Sequence, residues 1–384
     1  MSSRKYKILA FCPYYPPHIG GLEKYAEELH QHLANNGHKV TVITPDIPAQ
    51  KEYPTYPGVQ VRRFPALDIV YGFPFPKLWV KSFWTIFFEI YREDFDIIFS
   101  TTRFFITSPM ALVFSKLKRT PWLHIEHGSD YVKADSALIT LVARLVDETV
   151  GRLIFKFSTV NIAPSLSAKK FIGLFNKRKV PVIYRGFPWK EVNAISQDMN
   201  IREKYREKVI ITFAGRLFSG KGVNDLIDAV SLLDKDKVEL VIIGDGPVKK
   251  ELEQQVKKLN IGSCVSFLGL KSFKETIAVI RASDIIINPS HNEGLPTSLL
   301  EAAACQIAIV ATNVGGTAEI VSHNESALLI KPGDPKLIAK TLQQLINDPA
   351  SRNKLAVNAR DSVRLKFNWP KATTEYEQII AESL

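Results

Sequence analysis

The sequence predicts an α/β fold of two domains, each a parallel sheet with helices on both faces. Apolar runs of strand length alternate with segments of helical period along nearly the whole chain. At 384 residues the chain is also too long for one ordinary core. A basic, polar stretch at 188–207 separates two such series, so we place the domain linker there and expect the two domains to face a cleft.

The first domain is predicted to span residues 1–190. Its first helix has an apolar face with Leu29 and Leu33 at its centre, and Gly37 ends it. The predicted strands of this domain are 7–11, 39–44, 59–63, 95–100, 122–126, 160–163 and 180–184. The predicted helices are 22–36, about 77–91, 107–118, about 136–155 and 166–175.

The second domain is predicted to span residues 191–369, and the final helix, 370–384, is expected to cross back onto the first domain. The predicted strands of the second domain are 209–214, 240–243, 265–268, 284–288, 307–311 and 327–330. Its predicted helices are 223–233, 247–259, 273–282, one opening after residue 296, and 335–347. The tail from 352 to 384 is helical, with a kink at Asn368-Trp369-Pro370.

Composition indicates a cytoplasmic globular protein. Apolar residues make up 46% and charged residues 23% of the chain. The first apolar run is too short for a secretory signal, and no run reaches the ~18 uncharged residues that span a bilayer. The three cysteines, Cys12, Cys264 and Cys305, are isolated and have no metal-site spacing.

The positive charge is concentrated in the first half of the chain. Residues 1–190 hold 26 lysines and arginines against 15 acidic residues, which accounts for the whole net charge of +11. This excess of positive charge fits a solvent-exposed surface as well as it fits a surface that binds an anionic partner. The anionic partner would be a phosphorylated acceptor, nucleic acid or a lipid headgroup surface, and no recognition motif supports nucleic acid.

The helix from about Lys77 has an unusual composition. Its polar stripe comprises Lys77, Lys81, Thr85, Glu89 and Arg92, and aromatic residues fill the remainder. Packing onto its own domain is the ordinary interpretation. The alternative is contact between residues 77–92 and the inner face of an anionic membrane, for which Trp79, Trp84 and Phe87 are suitable residue types.

The central motif runs from Asn288 to Ala302, where a short apolar strand meets a helix. Open α/β sheets bind ligands at such junctions. Glu293 lies in the junction and Glu301 in the helix, ~2.2 turns further on at 3.6 residues per turn. Two acids at this spacing fit two parts of one elongated ligand, and Gly294 allows close approach of the backbone.

Further polar groups follow other predicted strands. Arg216 and Lys221 stand among glycines after strand 209–214 and provide cations for phosphate oxygens. Gly244 and Gly246 follow the next strand, and His127-Gly128 follows strand 122–126. Carboxylates accept hydrogen bonds from vicinal hydroxyls and cations neutralise phosphates, so this set of groups fits a nucleoside diphosphate sugar.

The chain resembles the retaining family 4 glycosyltransferases of the GT-B fold, in which two Rossmann-like domains face a cleft. The matching motifs are Gly20-Gly21, His127-Gly128, Gly215-Arg216 with Lys221, Gly244-Asp245-Gly246, E-x7-E from Glu293 to Glu301, Gly315-Gly316 with Glu319-Ile320, and the helix after Trp369. The order and spacing of these motifs are specific to the family. The resemblance covers essentially the whole chain.

The resemblance implies a hexosyltransferase in glycan biosynthesis and a role for each matching residue. Arg216 and Lys221 would bind the donor diphosphate without a metal cofactor, Glu293 the donor sugar and Glu301 the ribose. The remaining donor contacts would be Gly21, Gly215, Gly244, Leu270, Gly294, Leu295, Pro296 and Thr297, with His127 at the hydroxymethyl end of the sugar. The partners would be the nucleotide sugar and an acceptor glycan that is lipid-linked or phosphorylated.

Some features depart from the family pattern or weigh against it. Tyr184-Arg185-Gly186 stands where family members often have Asn-Gly, which adds a cation. Two D-x-D sequences, 94–96 and 234–236, are not expected to bind metal. Alternatives are a sugar-nucleotide epimerase of the same fold and a sugar-binding protein without catalytic activity.

Overall fold

The computed structural model describes residues 4–18, 20–50, 52–70, 73–131 and 137–384. It divides into two compact units, Met1–Gly186 with Asn368–Leu384, and Phe187–Phe367. Residues 1–3 of the first predicted domain, and residue 136 at the start of a predicted helix, lie outside the described residues.

In chain order, the elements before residue 187 are β1 (Lys7–Phe11), α1 (Gly21–Asn35), β2 (Lys39–Pro45), β3 (Val59–Phe64), β4 (Ala66–Val70), β5 (Phe73–Pro76), α2 (Lys81–Arg92), β6 (Ile97–Thr101), α3 (Thr107–Lys118), β7 (Trp122–Ile125), α4 (Ala137–Val146), α5 (Arg152–Phe157), β8 (Val160–Ile162) and α6 (Leu166–Gly173).

The elements after residue 187 are α7 (Trp189–Asn193), α8 (Met199–Lys204), β9 (Val209–Ala214), α9 (Val223–Val230), β10 (Val238–Ile243), α10 (Lys249–Lys258), β11 (Val265–Gly269), α11 (Phe273–Ala282), β12 (Ile285–Asn288), α12 (Thr297–Cys305), β13 (Ala308–Thr312), α13 (Thr317–Ile320), β14 (Leu328–Ile330), α14 (Pro335–Asn347), α15 (Pro349–Lys366) and α16 (Trp369–Ser383).

Each unit is built on a six-stranded parallel sheet, which confirms the predicted fold class. The first sheet has the order β3-β2-β1-β6-β7-β8 and the second the order β11-β10-β9-β12-β13-β14. Both correspond to the 3-2-1-4-5-6 order of doubly wound, Rossmann-like folds. The central strands are buried on both faces, as the near-continuous apolar runs predicted.

The order of the strands places a crevice at a defined point of each sheet. The chain winds outward in one direction from β1 or β9, and then crosses to β6 or β12 and winds the other way. Ligands of open α/β sheets bind at the carboxyl ends of the strands at this switch point. The loops after β1, β6, β9 and β12 are therefore the positions at which to look for sites.

The predicted helix from about Lys77 is wrong at its start. An antiparallel hairpin of β4 and β5 precedes it, and the helix begins only at Lys81. Pro74 and Pro76 favour extended backbone in the residues before them, so the chain cannot enter the helix there. Lys77 consequently lies outside the helix, and its N–H donates to the Pro65 carbonyl at 2.9 Å.

Three other segments differ from the sequence expectation. The helix predicted at about 136–155 is interrupted by a π-helical turn, Asp147–Gly151, which turns Asp147 into the interior. Segment 180–184 makes only one parallel bridge, Val182 to Ala163, because Pro181 has no N–H to donate. The linker predicted at 188–207 contains α7 and α8.

The two final helices account for the predicted kink at Asn368-Trp369-Pro370. α15 ends at Lys366 and α16 begins at Trp369, with the Asn368 side chain accepting from the Lys371 N–H at 3.2 Å. Within the first unit, α16 packs on α1, and the hydroxyls of Tyr25 and Tyr376 meet at 2.5 Å. Among the described residues, no helix is both long and apolar enough to cross a bilayer.

Candidate active site

Lys221 and Glu293 form an ion pair at the switch point of the second sheet. Lys221 follows β9 and Glu293 follows β12, and the Lys221 Nζ lies 2.6 Å from the Glu293 Oε1. The side chains retain 20% and 10% exposure respectively, so the pair is largely shielded from solvent yet reachable. The Ser290 hydroxyl donates to the same carboxylate oxygen at 2.8 Å, and the Asn288 amide does so at 3.3 Å. The carboxylate is therefore held in one orientation.

Glycines bring the loops around this pair into backbone contact. A Cβ on Gly315 would lie 1.6 Å from the Glu293 carbonyl oxygen, and a Cβ on Gly222 would lie 2.1 Å from the Pro289 oxygen. The Gly316 N–H donates to the Gly294 carbonyl at 2.7 Å. Only glycine fits at these positions, and both Gly222 and Gly315 have positive φ. The close approach thus fixes the loop that carries Glu293 against its neighbours.

A second glycine contact supports the loop that carries Arg216. A Cβ on Gly244 would lie 1.9 Å from the Gly215 oxygen, and Gly244 has a φ of 137°. Arg216 is exposed, with its guanidinium carbon 5.3 Å from the centre of the Phe218 ring. Leu270, after β11, is also exposed. The carboxyl edge of the second sheet therefore presents an exposed cation after β9 and an exposed apolar side chain after β11.

Helix α12 begins at this edge. Pro296 precedes its first residue, Thr297, and no side chain caps its N-terminal N–H groups. Leu295 lies next to the glycine contact, its Cδ1 3.0 Å from the Cβ position of Gly316. Glu301 is half-buried in the second turn. The positive end of the helix dipole therefore lies at this edge, and a carboxylate lies further along the helix.

The structure thus brings Gly215, Arg216, Lys221, Gly244, Glu293 and the 294–297 segment to one edge of the second sheet. Gly21 and His127 belong to the first unit. Gly21 opens α1, and nothing lies within 4 Å of the position of its Cβ.

His127 lies on the loop after β7, against the ring of Tyr25 at 4.6 Å. Burial lowers the pKa of His127 to about 4, and Arg185 and His124 also disfavour its charged form. The imidazole is therefore neutral at pH 7.

Comparison with known proteins identifies the family. The profile of glycosyl transferases group 1 matches residues 195–362, and that of Glycosyltransferase Family 4 matches residues 19–188. An uncharacterized glycosyltransferase of Methanocaldococcus jannaschii is 36% identical over 389 residues, covering 98% of each chain. The chain belongs to the family 4 glycosyltransferases. This confirms the family resemblance found in the sequence motifs. The protein is therefore an enzyme.

Two further relatives extend the comparison. The N-acetyl-alpha-D-glucosaminyl L-malate synthase of Bacillus anthracis is 25% identical to this glycosyltransferase and is aligned over 96% of this chain and 95% of its own. The Anabaena protein HepE, crystallised with UDP-glucose, superposes with a TM-score of 0.75 at 20% identity and covers 98% of this chain and 100% of its own. The fold of this glycosyltransferase is therefore GT-B.

The sequence prediction missed a buried ion cluster that supports the His127 loop. Arg103, Glu126 and Asp147 are fully buried, and the Arg103 guanidinium lies 3.0 Å from Glu126 and 2.5 Å from Asp147. Glu126 also accepts the N–H groups of Gly128 at 2.6 Å and of Arg103 at 3.1 Å. No short motif predicts that Arg103, Glu126 and Asp147 meet, because they lie far apart in the sequence. The charge of Glu126 at the end of an apolar strand is the one signal that could have indicated a buried ion pair.

The electrostatics of this cluster favour an ionised Glu126. Burial alone would raise the pKa of Glu126, but the charge of Arg103 and the hydrogen bonds from His124 and Gly128 lower it to about 2. In this glycosyltransferase the ionised, hydrogen-bonded carboxylate of Glu126 thus lies immediately before His127 in the chain.

Two other contacts were missed. In the second unit, the His291 Nε2 lies 2.7 Å from Asp225. The backbone N–H of His291 donates to the Gly220 carbonyl, so His291 connects the loop after β12 to the loop after β9.

In the first unit, Arg185, the cation that departs from the family pattern, pairs with Glu28 at 2.9 Å. Glu28 also accepts from the Trp369 indole at 3.2 Å. Arg185 is therefore paired with a carboxylate of the first unit.

Proposed function

We propose that this enzyme transfers a sugar from a nucleoside diphosphate sugar, with retention of configuration, to a lipid-linked or phosphorylated acceptor. The observation that carries the proposal is the Lys221–Glu293 pair, held at the switch point of the second sheet by Ser290, Asn288 and the glycine contacts. A cation and a carboxylate at one point match a ligand whose phosphate adjoins a hydroxylated ring.

The chemistry needs charge stabilisation where the sugar leaves the diphosphate. As the bond from the anomeric carbon to the phosphate oxygen breaks, negative charge grows on that oxygen, and Lys221 and Arg216 are the cations available at the edge. An ammonium has three donors, so Lys221 can keep one hydrogen bond to Glu293 while another reaches a phosphate. We propose that no metal takes part in this step.

The other donor contacts are assigned from the same placement. Glu293 accepts hydrogen bonds from hydroxyls of the donor sugar, and Glu301 does so from the ribose. The uncapped N–H groups of α12 and the segment from Gly294 to Thr297 face phosphate and sugar. Gly244 and Leu270 lie beside the base. Gly21 and His127 keep the roles that the resemblance implies.

Comparison supports the donor class and leaves the acceptor open. HepE has been crystallised with UDP-glucose. The Bacillus anthracis relative, by its name, forms a product from L-malate, so one family member acts on an anionic acceptor. The excess positive charge before residue 190 agrees with an anionic acceptor here.

Helix α2 supports membrane contact near the acceptor. Its inner face buries Phe83 and Ile90 in the core of the first unit, whereas Trp84 and Phe88 on its outer face are 42% and 53% exposed. Trp79, just before the helix, is 69% exposed. The packing interpretation is confirmed for the inner face, which also includes Phe87, because its ring lies 4.8 Å from that of Phe114. We propose that the outer face contacts an anionic membrane.

Incubation with donors labelled in the sugar tests the proposed reaction. We expect label to leave the nucleotide, either to an added lipid phosphate or L-malate acceptor or slowly to water. Conversion of the donor to an isomer would indicate an epimerase, and a bound but unchanged donor would indicate a non-catalytic protein. Glu293→Ala should abolish release of label, while Glu207→Ala, at an 84% exposed side chain, should leave it unchanged. Full activity of Glu293→Ala would overturn the assignment.

A further inference from the structure

The β4–β5 hairpin of the first unit has apolar residues on both faces. Ala66, Pro74 and Pro76 are buried against the unit. On the outer face, Leu67 lies directly opposite Phe75, and Phe73 is two residues along the same strand. Phe73 and Phe75 are 45% and 46% exposed. A two-stranded hairpin ordinarily keeps its outer face polar, so this one is built to be covered.

A series of ring contacts connects this face to the switch point of the first sheet. The Phe73 ring lies 5.2 Å from that of Phe105, and the Phe105 ring lies 5.3 Å from that of Tyr14. Tyr14 in turn stacks on His18 at 4.2 Å. Tyr14 and His18 follow β1 and Phe105 follows β6, so the rings bridge the two loops that border the crevice. We call Phe75, Phe73, Phe105, Tyr14 and His18 the aromatic row.

The backbone at this crevice is strained. Thr102, the first residue after β6, has a φ of 63°, which a β-branched side chain adopts only under constraint. Its carbonyl accepts from the Ser108 hydroxyl at 2.9 Å, and the N–H of the following residue, Arg103, is held by Glu126. Such strain is concentrated at functional sites. The loop that carries Phe105 is therefore fixed in the conformation that completes the aromatic row.

The two ends of the aromatic row differ in character. Its inner end, His18, lies in the loop that leads to Gly20 and Gly21, and His18 pairs with Glu23 in the first turn of α1. Its outer end leads along the chain into the exposed Leu78 and Trp79 and then into α2. Lys77 and Lys81 flank that end. The row thus runs from the basic, aromatic surface of the first unit to the carboxyl edge of its sheet.

We infer that the exposed outer end of the aromatic row, Phe73 and Phe75, binds the hydrocarbon chain of an amphiphilic, anionic acceptor, and that the row directs the acceptor's head group to the edge of the first sheet. A row that ends at a crevice loop fits a substrate, since a docked protein would need no connection to that loop. The outer residues of the hairpin that form the row carry no polar group to bind sugar hydroxyls, so a chain fits better than a glycan. The inference rests on the proposed function, because it gives that acceptor its apolar part.

Alkyl phosphates test this inference without knowledge of the natural acceptor. Decyl phosphate, below its micellar concentration, and methyl phosphate share a head group and differ in the chain. We expect the full-length protein to bind decyl phosphate at least about tenfold more tightly by calorimetry. The double substitution Phe73→Ser with Phe75→Ser should remove most of that difference and leave methyl phosphate binding unchanged. Leu232→Ser with Leu365→Ser, at exposed apolar residues of the second unit, is the matched control and should retain the preference.

Three outcomes would overturn the inference: equal binding of the two phosphates, a preference retained by the hairpin variant, or loss of vesicle binding alone. If the hairpin variant lost binding to phosphatidylglycerol vesicles but kept the preference for decyl phosphate, the aromatic row would contact the bilayer surface and not the acceptor. Thermal melting checks the fold of the variant, and Leu67→Ser on the facing strand is a milder second variant that should also weaken the preference. Titration with UDP-glucose in parallel separates the two proposals, because the hairpin variant should bind the donor normally even if the chain preference fails.

Discussion

Two ion groups in this enzyme differ in what their burial allows. Lys221 and Glu293 are partly exposed and have neighbours that hold the carboxylate still, so a ligand can take over part of their contact. Arg103, Glu126 and Asp147 have no exposed side-chain surface. Removal of Arg103 would leave two buried carboxylates without their cation, and removal of either carboxylate would take a charged hydrogen-bond partner from Arg103. The first group is arranged for binding and the second for holding a loop in place.

Glu126→Gln tests the holding role. We expect the free energy of unfolding to fall by about 1.5–3 kcal/mol, since Arg103 keeps only Asp147 as a charged partner and the Gly128 N–H loses a charged acceptor. The pKa of Glu126 is about 2 in the fold, below its ordinary value, so its contribution is present above pH 4.5 and is lost only as the pH falls through about 2.

Urea unfolding of the wild type and Glu126→Gln at pH 7 and pH 5 should therefore give the same difference at both pH values. Glu89→Gln, on the exposed face of α2, is the control. A difference under about 1 kcal/mol at pH 7 would show that the cluster does not hold the loop.

Among the elements, α2 and the hairpin before it distinguish the first unit. The inner face of α2 completes the core against Phe64 and Phe114, as ring contacts of Phe83 and Phe87 show. Its outer face carries aromatic side chains that remain partly exposed, Trp84 at 42% and Phe88 at 53%, beside basic residues. An element with one face in the core and one apolar face outside fits an interface between protein and membrane.

Substitution of Trp79→Ser with Trp84→Ser tests the membrane contact. We expect binding to phosphatidylglycerol vesicles to weaken by at least about tenfold, because two large aromatic surfaces no longer enter the interface. Wild-type binding should also weaken as salt is raised, and should be poor on neutral phosphatidylcholine. Cosedimentation measures both. If the double variant and a Leu365→Ser control bind equally well, α2 is not the contact.

Most elements could be predicted from the sequence because their period and their end signals agree. Thr107–Lys118, Val209–Ala214, Phe273–Ala282 and Pro335–Asn347 have the predicted bounds. The misses have two causes, namely the local effect of prolines and contacts between residues distant in sequence. Pro74 and Pro76 keep residues 73–76 extended, as β5 of the hairpin. The π-helical turn at Asp147, in contrast, exists where Arg103 draws that carboxylate inward.

The candidate site shows the same division. Lys221 and Glu293 could be predicted because each stands at the carboxyl end of a recognisable strand, and such ends share one edge of the sheet. The supporting residues could not be. Ser290 and His291 lie within the central motif, but only the fold shows that one binds Glu293 and the other Asp225.

At the scale of the molecule, the two units share one strand order and differ in charge and surface. The excess of basic residues lies before residue 190, and the exposed hairpin and α2 aromatics lie there too. Residues 191–384 have a balanced charge, and the second unit contains the cation–carboxylate pair among glycines. The shared topology provides each unit with a crevice at its switch point. We propose that the second unit binds the donor and the first unit the acceptor.

Calorimetric titration with nucleotide sugars tests the central claim most directly. UDP-glucose and other common nucleotide sugars would be titrated into the wild type, into Lys221→Ala, and into Lys237→Ala as a control at a 71% exposed lysine. We predict that at least one of these donors binds the wild type and the control equally, and binds Lys221→Ala at least about tenfold more weakly, or about 1.4 kcal/mol. Absence of binding by every donor, or wild-type affinity in Lys221→Ala, would contradict the account.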